Sequence, residues 1–248
     1  MKPILTYVYS YYDNLSMFKR QIKEWKSYKK AMKDRLEIIV TDDCSQKTPI
    51  QESFPVLKNF DIPITIFQIK ENVQWNWLAC RNIGAHHSKS KWLLLTDMDH
   101  MIDKRDTKKL FNFLSGPQAL SDFVYLFERI DAPNRTHYKP HNDSFMMTKD
   151  LYWKIGGYDE ELSGNYGTSG RYRNRAFSVA LGNKRLNIPL TRFSREVIPD
   201  ASTVGLVRKG PGRDPKAIQN ILAKKEEEGR ENEILTLTFP YERVYSND

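Results

Sequence analysis

Three short clusters of carboxylates and hydroxyls, each closing an apolar run, carry most of the chemistry open to this chain. Lys91-Trp-Leu-Leu-Leu-Thr-Asp-Met-Asp-His100 ends in Asp97 and Asp99, one residue apart. Leu36-Glu-Ile-Ile-Val ends in Thr41-Asp42-Asp43, and the run from Ile4 ends in Ser10-Tyr11-Tyr12-Asp13. Neighbouring carboxylates repel each other and resist burial. A divalent cation such as Mg²⁺ or Mn²⁺ removes both difficulties, because hard cations take carboxylate oxygens and bring phosphate with them. An isolated Asp-x-Asp is equally the solvated start of a loop, so its meaning depends on what surrounds it.

The elements that must position these clusters follow from pattern. The three runs read as strands covered on both faces, where alternation is lost. A fourth strand is predicted near 62–69. Asp13 or Asn14 can cap a helix whose buried stripe is Leu15, Phe18, Ile22, Trp25 and Met32. A second helix is predicted over 74–88, and a third from Asp106 to the Gly116-Pro117 stop. This alternation predicts a mostly parallel, doubly wound α/β sheet flanked by helices. Its strands end along one edge, so the three clusters should meet in one crevice. Later in the chain, strands are predicted at 123–127, 144–148 and 234–239, with helices at 149–155, 171–181 and 217–228. The stretches 130–142, 158–170 and 206–215 read as loops.

At 248 residues the chain can bury a core without disulfide staples. Its two cysteines, Cys44 and Cys80, show no paired metal-ligand spacing, which speaks against structural zinc and for a reducing compartment. No signal-peptide pattern and no apolar run of about 20 residues is evident, so a soluble, cytoplasmic protein is expected. The net charge of +8 is concentrated between Arg171 and Arg213, where ten Lys/Arg face only Glu196 and Asp200. Such a block can attract a nucleoside diphosphate, nucleic acid or an anionic membrane surface, or serve as a solvated face.

Four signatures in order, Val8-Tyr-Ser-Tyr-Tyr-Asp-Asn14, Glu37 to Ser45, Ala79-Cys-Arg-Asn-Ile-Gly84 and Leu95-Thr-Asp-Met-Asp99, resemble those of family 2 glycosyltransferases with the GT-A fold. A fifth, Lys149 to Glu160 with Gly156-Gly157-Tyr158-Asp159-Glu160, resembles the family's acceptor-side segment. The resemblance runs from about residue 4 to about 175. It implies a GT-A domain over 1–205, with the nucleotide-sugar half at 1–115 and an acceptor half with its own smaller sheet at 116–205. Residues 206–248 would then form a basic C-terminal extension. It also implies a nucleotide-sugar donor, with a lean to UDP, and a sugar or other hydroxyl acceptor. By position, Ser10, Tyr11 and Asp42 or Asp43 would bind the nucleoside and Arg81 the diphosphate or ribose. Asp97 would face the ribose, sugar or metal, and Asp99 the metal. Arg208, Lys209 and Arg213 could close over the diphosphate.

One departure matters. Where inverting members of the family place a base carboxylate, this chain has Thr168-Ser169-Gly170. A serine hydroxyl is no general base near neutral pH. Asp143, Asp159 and Glu160 are the other candidates; a retaining mechanism, or nucleotide-sugar binding without efficient catalysis, are the alternatives. His100 and His141 are candidate metal ligands. His86-His87 reads as a structural pair. Of Trp75 and Trp77, one is expected in the core and the other against a base or sugar face. Transfer to nucleic acid is a further reading, resting on the basic block.

Overall fold

A computed structural model describes residues 2–202 and 214–247. In chain order the first half runs β1 (Leu5–Tyr11), α1 (Leu15–Lys26), α2 (Lys30–Lys33), β2 (Leu36–Asp42), a 3-10 turn at Ile50–Ser53, α3 (Phe54–Leu57), β3 (Ile64–Ile69), α4 (Trp77–His87) and β4 (Trp92–Asp97). The second half runs β5 (His100–Met101), α5 (Lys104–Leu114), β6 (Phe123–Asp131), β7 (Thr136–Tyr138), β8 (Phe145–Thr148), α6 (Lys149–Lys154), a 3-10 turn at Glu160–Leu162, α7 (Ser169–Val179), β9 (Gly182–Arg192), α8 (Pro215–Glu227) and β10 (Tyr241–Ser246).

The strands form one sheet in the order β10-β3-β2-β1-β4-β8-β6-β9-β5, with β7 on β6. From β3 to β4 it is wholly parallel. Beyond β4 it is mixed: β8 is antiparallel to β4 and β6, while β9 runs parallel to β6. Both halves therefore share one continuous sheet, and the strands of the second half extend it rather than form a smaller sheet of their own. The register brings the three clusters together, since Ser10 lies opposite Thr41 on one side and Asp97 on the other, and Tyr11 opposite Asp42.

Buried Val, Ile, Leu and Tyr side chains of β1, β2 and β4 fill both faces, which explains the unbroken apolar runs. On one face α4 presses against β1. A Cβ at Gly84 would lie 2.3 Å from Val8 Cγ1, so only glycine allows this approach. On the other face α1 buries Met17, Phe18, Gln21, Ile22 and Trp25.

The structure departs from the sequence reading at several points, among them the stretch 130–142, read as a loop, which holds the end of β6 and β7. The cap of α1 comes from afar: Asp200 accepts from the backbone N–H of Ser16 and Met17 at 2.6 and 2.9 Å, and Asn14 makes no side-chain cap bond. α5 begins earlier, with Asp103 accepting from the N–H groups of Arg105 and Asp106. The last strand is Tyr241–Ser246, antiparallel to β3, rather than 234–239, because Leu237 and Thr238 give their N–H groups to the Glu160 carboxylate instead. The eleven-residue β9 lies inside the basic block, where no strand was expected. No helix among the described residues is long and apolar enough to cross a membrane.

Candidate functional site

The carboxyl ends of β1, β2 and β4 open on a cavity of about 310 Å³, closed from the other side by residues of β5, β6, β9 and the segment 201–202. Ser10, Tyr11, Asp43, Asp97, Asp99, His100 and His141 all line it. Seven residues named from sequence thus share one crevice.

The tight turn from β4 to β5 is the centre of the site, and a buried glutamine holds it. Gln21 Nε2 donates to the carbonyls of Met98 and His100 at 3.0 and 2.7 Å, and Tyr9 OH donates to the latter at 3.3 Å. The turn brings Asp97, His100 and His141 close enough that one ligand atom from each lies within 4.8 Å of the others. Among the described residues this is the group that can hold a cation. Asp97 accepts from Arg81 Nη2 at 2.8 Å, and its other oxygen lies 3.4 Å from His141 Nε2. Burial pushes the Asp97 carboxyl up, yet it stands below the ordinary carboxylate value, and with His141 neutral the lasting cause is the permanent charge of Arg81 and its hydrogen bond. Burial takes His141 down to about 3, leaving a neutral imidazole with ligand capacity. Its Nδ1 meets Ser144 Oγ at 2.9 Å.

Asp99 has a different place from the one its motif suggests. Its carboxylate is 2.7 Å from His100 Nδ1, while His100 Nε2 is 3.3 Å from Arg129 Nη1. Arginine can only donate, so Nε2 accepts and the ring proton sits on Nδ1, toward Asp99. Asp99 thus orients the ring from behind, and Nε2 can offer its lone pair to a cation once Arg129 gives up its hydrogen bond to it.

The nucleoside candidates divide. Ser10 Oγ is buried without a partner among the described residues. Asp43 lines the cavity and is 4% exposed. Asp42 does not line it: its carboxylate accepts from Ser45 N at 2.8 Å and Gln68 Nε2 at 3.2 Å, shaping the turn after β2. Tyr11 donates its hydroxyl to the Thr48 carbonyl at 2.6 Å and packs edge-on against Phe18, so it forms floor and not a free stacking face.

Arg81 corrects the expectation of a diphosphate ligand. It is fully buried, donates to Tyr158 OH and Asp97, and lies 4.5 Å from the Trp77 ring centre. Trp75 and Trp77 both line the cavity, Trp77 while also covering the Arg81 guanidinium. The cations that do line the cavity are Arg129 and Arg192, on either side of the Tyr138 ring at 4.5 and 4.2 Å. Arg192 forks onto Asp131 at 2.7 and 2.9 Å. Arg129 is 6% exposed, and its one side-chain hydrogen bond among the described residues is to His100; Nε has none. Burial, with Arg192 adding repulsion, lowers its pKa, so a buried guanidinium stands at the cavity without a bonded carboxylate.

Of the three base candidates, Asp159 and Glu160 are spoken for. Asp159 holds Lys225 Nζ at 2.8 Å, and Glu160 accepts from Asn82, Leu237 and Thr238 at 2.7–2.8 Å. None of the three is among the residues that line the cavity. Asp143 keeps Oδ1 buried and without a partner among the described residues. Burial raises its pKa to about 6, with Asp97 adding to the rise and Arg81 and a hydrogen bond from Ser169 opposing it. A carboxylate thus stands beside the serine where the sequence lacked one. Arg208, Lys209 and Arg213 lie outside the described residues. The basic block is not one surface either: Arg175 donates to the Ile155 and Gly157 carbonyls, Arg192 enters the cavity, and Lys184 and Arg185 stand exposed on β9.

A parallel sheet with its polar crevice at the switch from parallel to antiparallel pairing, entered by an acidic turn, defines a GT-A glycosyltransferase fold. The model of glycosyl transferase family 2 matches residues 16–177, and the chain belongs to that family. An uncharacterized glycosyltransferase of Haemophilus influenzae is 26% identical over 149 residues, 51% of this chain and 47% of the relative. The match thus takes in about half the length of that relative. Among solved structures, S. aureus TarS 1-349 in complex with UDP-GlcNAc is similar at TM-score 0.62 and 14% identity, covering 81% of this chain and 61% of that one. The mannosyltransferase PcManGT from Pyrobaculum calidifontis, in complex with GDP-Man and Mn²⁺, is similar at TM-score 0.58 and 12% identity, covering 77% and 57%. At these identities the likeness is one of fold.

Proposed function

We propose that this protein transfers a glycosyl group from a nucleoside diphosphate sugar, a UDP-sugar by preference, to a hydroxyl acceptor, assisted by a divalent cation. The observation that carries the reading is the convergence of Asp97, His100 and His141 at the carboxyl edge of a family 2 sheet. One carboxylate and two imidazoles fit Mn²⁺ better than Mg²⁺, which demands an oxygen shell. A cation bound there would neutralise charge developing on the departing diphosphate.

The chain's own residues supply the remainder. Asp43 and Ser10, at the ends of β2 and β1, offer acceptor and hydroxyl groups to a uracil and its ribose. Arg129 provides a fixed positive charge facing the diphosphate. Arg81 holds Asp97 in its rotamer from behind. Asp143 takes the proton of the acceptor hydroxyl as that oxygen bonds to the sugar's C1. The bond from C1 to the phosphate oxygen breaks, and its electron pair leaves with the nucleoside diphosphate. A base so placed belongs to single displacement, with inversion at C1.

The test is a thermal-shift screen of nucleotide sugars with and without Mn²⁺, since a ligand of the folded state raises its stability by mass action. The expected result is a shift with one donor that needs the cation. Shifts independent of cation for every donor would overturn the metal assignment.

A further inference from the structure

The mouth of the cavity carries an aromatic pair that donor binding and proton transfer leave unused. Trp75 lines the cavity, and its ring centre lies 5.4 Å from that of Tyr166 at a 60° angle. Tyr166 is 48% exposed, a high value for a tyrosine packed on a tryptophan. Trp75 has φ +52°, a conformation that bulky residues rarely adopt. Two contacts bind the loops that carry them: Ser163 Oγ donates to Asn76 Oδ1 at 2.7 Å, and Gly164 faces Val73. Polar residues flank the two aromatics in sequence. Gln74 Oε1, Asn76 Nδ2 and Thr168 Oγ1 are buried without a partner among the described residues. Ser169, which bonds Asp143, follows Tyr166 by three positions.

We propose that Trp75 and Tyr166 form the platform for the acceptor, and that the acceptor is a saccharide whose pyranose ring lays its apolar C–H face on them. This rests on the glycosyl-transfer reading above and names its second substrate. An aromatic face bordered by amide and hydroxyl groups suits a sugar ring, which is apolar on its faces and polar around its edge. A ring seated there turns an edge hydroxyl toward Asp143. The pair belongs to the acceptor side because its loop is tied to 163–168, whereas the nucleoside groups Ser10 and Asp43 sit at the ends of β1 and β2.

The experiment is saturation-transfer NMR on the full chain in the presence of UDP and Mn²⁺. The probes are methyl β-D-glucopyranoside, methyl β-D-galactopyranoside, methyl N-acetyl-β-D-glucosaminide and a short single-stranded oligonucleotide. At least one pyranoside should bind, with saturation strongest at its ring-face protons. Trp75→Ala should weaken that binding about tenfold and Tyr166→Ala somewhat less, with the affinity for UDP changed by less than about twofold. Trp75→Gly, whose backbone suits a positive φ, is the companion variant, and retained UDP binding reports that each variant is folded. Failure of the wild-type protein to bind UDP with Mn²⁺ would remove the glycosyl-transfer reading and this inference with it. UDP binding with no pyranoside bound, with equal binding to the variants, or with the oligonucleotide bound in an aromatic-dependent way, would overturn this inference alone. Loss of UDP binding in Trp75→Gly with saccharide binding intact would give the ring to the donor and overturn it too.

Discussion

The two walls of the cavity handle charge in opposite ways. On the β1, β2 and β4 wall, the acids are held by fixed partners. Asp97 accepts from Arg81 and Asp99 faces the ring proton of His100, while the hydroxyl of Ser10 alone among the groups named there has no partner among the described residues. On the side built by β6, β9 and the loop before β8, two groups stand without protein partners among the described residues: the guanidinium Nε of Arg129, which lines the cavity, and the Oδ1 of Asp143, which is buried outside its lining. A satisfied wall contributes rigidity. An unsatisfied one holds stability in reserve, since a buried charge or polar atom that lacks its partner costs free energy until a ligand supplies one. The difference separates carboxylates already fixed by the fold from charged and polar groups that a ligand can still satisfy.

Substitutions on each wall should therefore fail differently. Asp97→Ala removes the centre of the cation group, and transfer should fall about 10³-fold or more, together with the Mn²⁺-dependent thermal shift. Asp143→Asn should lower kcat about 10²-fold or more while leaving donor affinity near the wild-type value, read from initial rates and UDP titration. Were donor affinity to fall instead, Asp143 would belong to the donor wall.

Arg129→Met makes the sharpest contrast between the walls. Donor affinity should drop about tenfold or more, since a hydrogen bond to a charged group contributes about 1.5–3 kcal/mol. At the same time the melting temperature of the ligand-free protein should rise, because an uncompensated buried cation has been replaced by an apolar side chain. A fall in melting temperature would show that Arg129 is already satisfied. The smallest effect on chemistry is expected at Glu160→Gln. There an amide would face donors from Asn82, Leu237 and Thr238, and stability should fall by about 1–3 kcal/mol in denaturant melts. Donor affinity should change little, unless the chain of contacts from Glu160 through Asn82 and Tyr158 to Arg81 also sets the position of Asp97.

The satisfied wall was legible because it is local. A parallel strand buried on both faces leaves an apolar run, and its ligand groups follow at once in sequence, as at Ser10, Asp43 and Asp97. The open wall is assembled across the sheet, and Arg129, Tyr138 and Arg192 share no spacing that would announce their meeting. β9 left a usable signal: Leu186, Ile188 and Leu190 are buried in strict alternation, a half-buried strand obscured by Lys184, Arg185 and Pro189. Gln21 left one as well, since a glutamine on the same helical face as Phe18, Ile22 and Trp25 needs a buried partner. Arg81 was placed correctly on its helix but not in its role. Nothing in the sequence shows that Trp77 and Tyr158 enclose its guanidinium. The long-range cap from Asp200 to the start of α1 depends on tertiary contact and has no local signature.

The central claim is that the cation site is Asp97, His100 and His141, with Asp99 behind His100 and outside the ligand set. Mn²⁺ titration followed by electron paramagnetic resonance, with UDP present, tests it in one comparison of His141→Ala with Asp99→Asn. The account predicts that His141→Ala, 44 positions from Asp97 in sequence, loses Mn²⁺ binding by about tenfold or more, the scale of a lost ligand, while Asp99→Asn, which keeps an acceptor oxygen toward His100, loses less. Unchanged binding in His141→Ala with binding abolished in Asp99→Asn would contradict it and return the metal to the two aspartates.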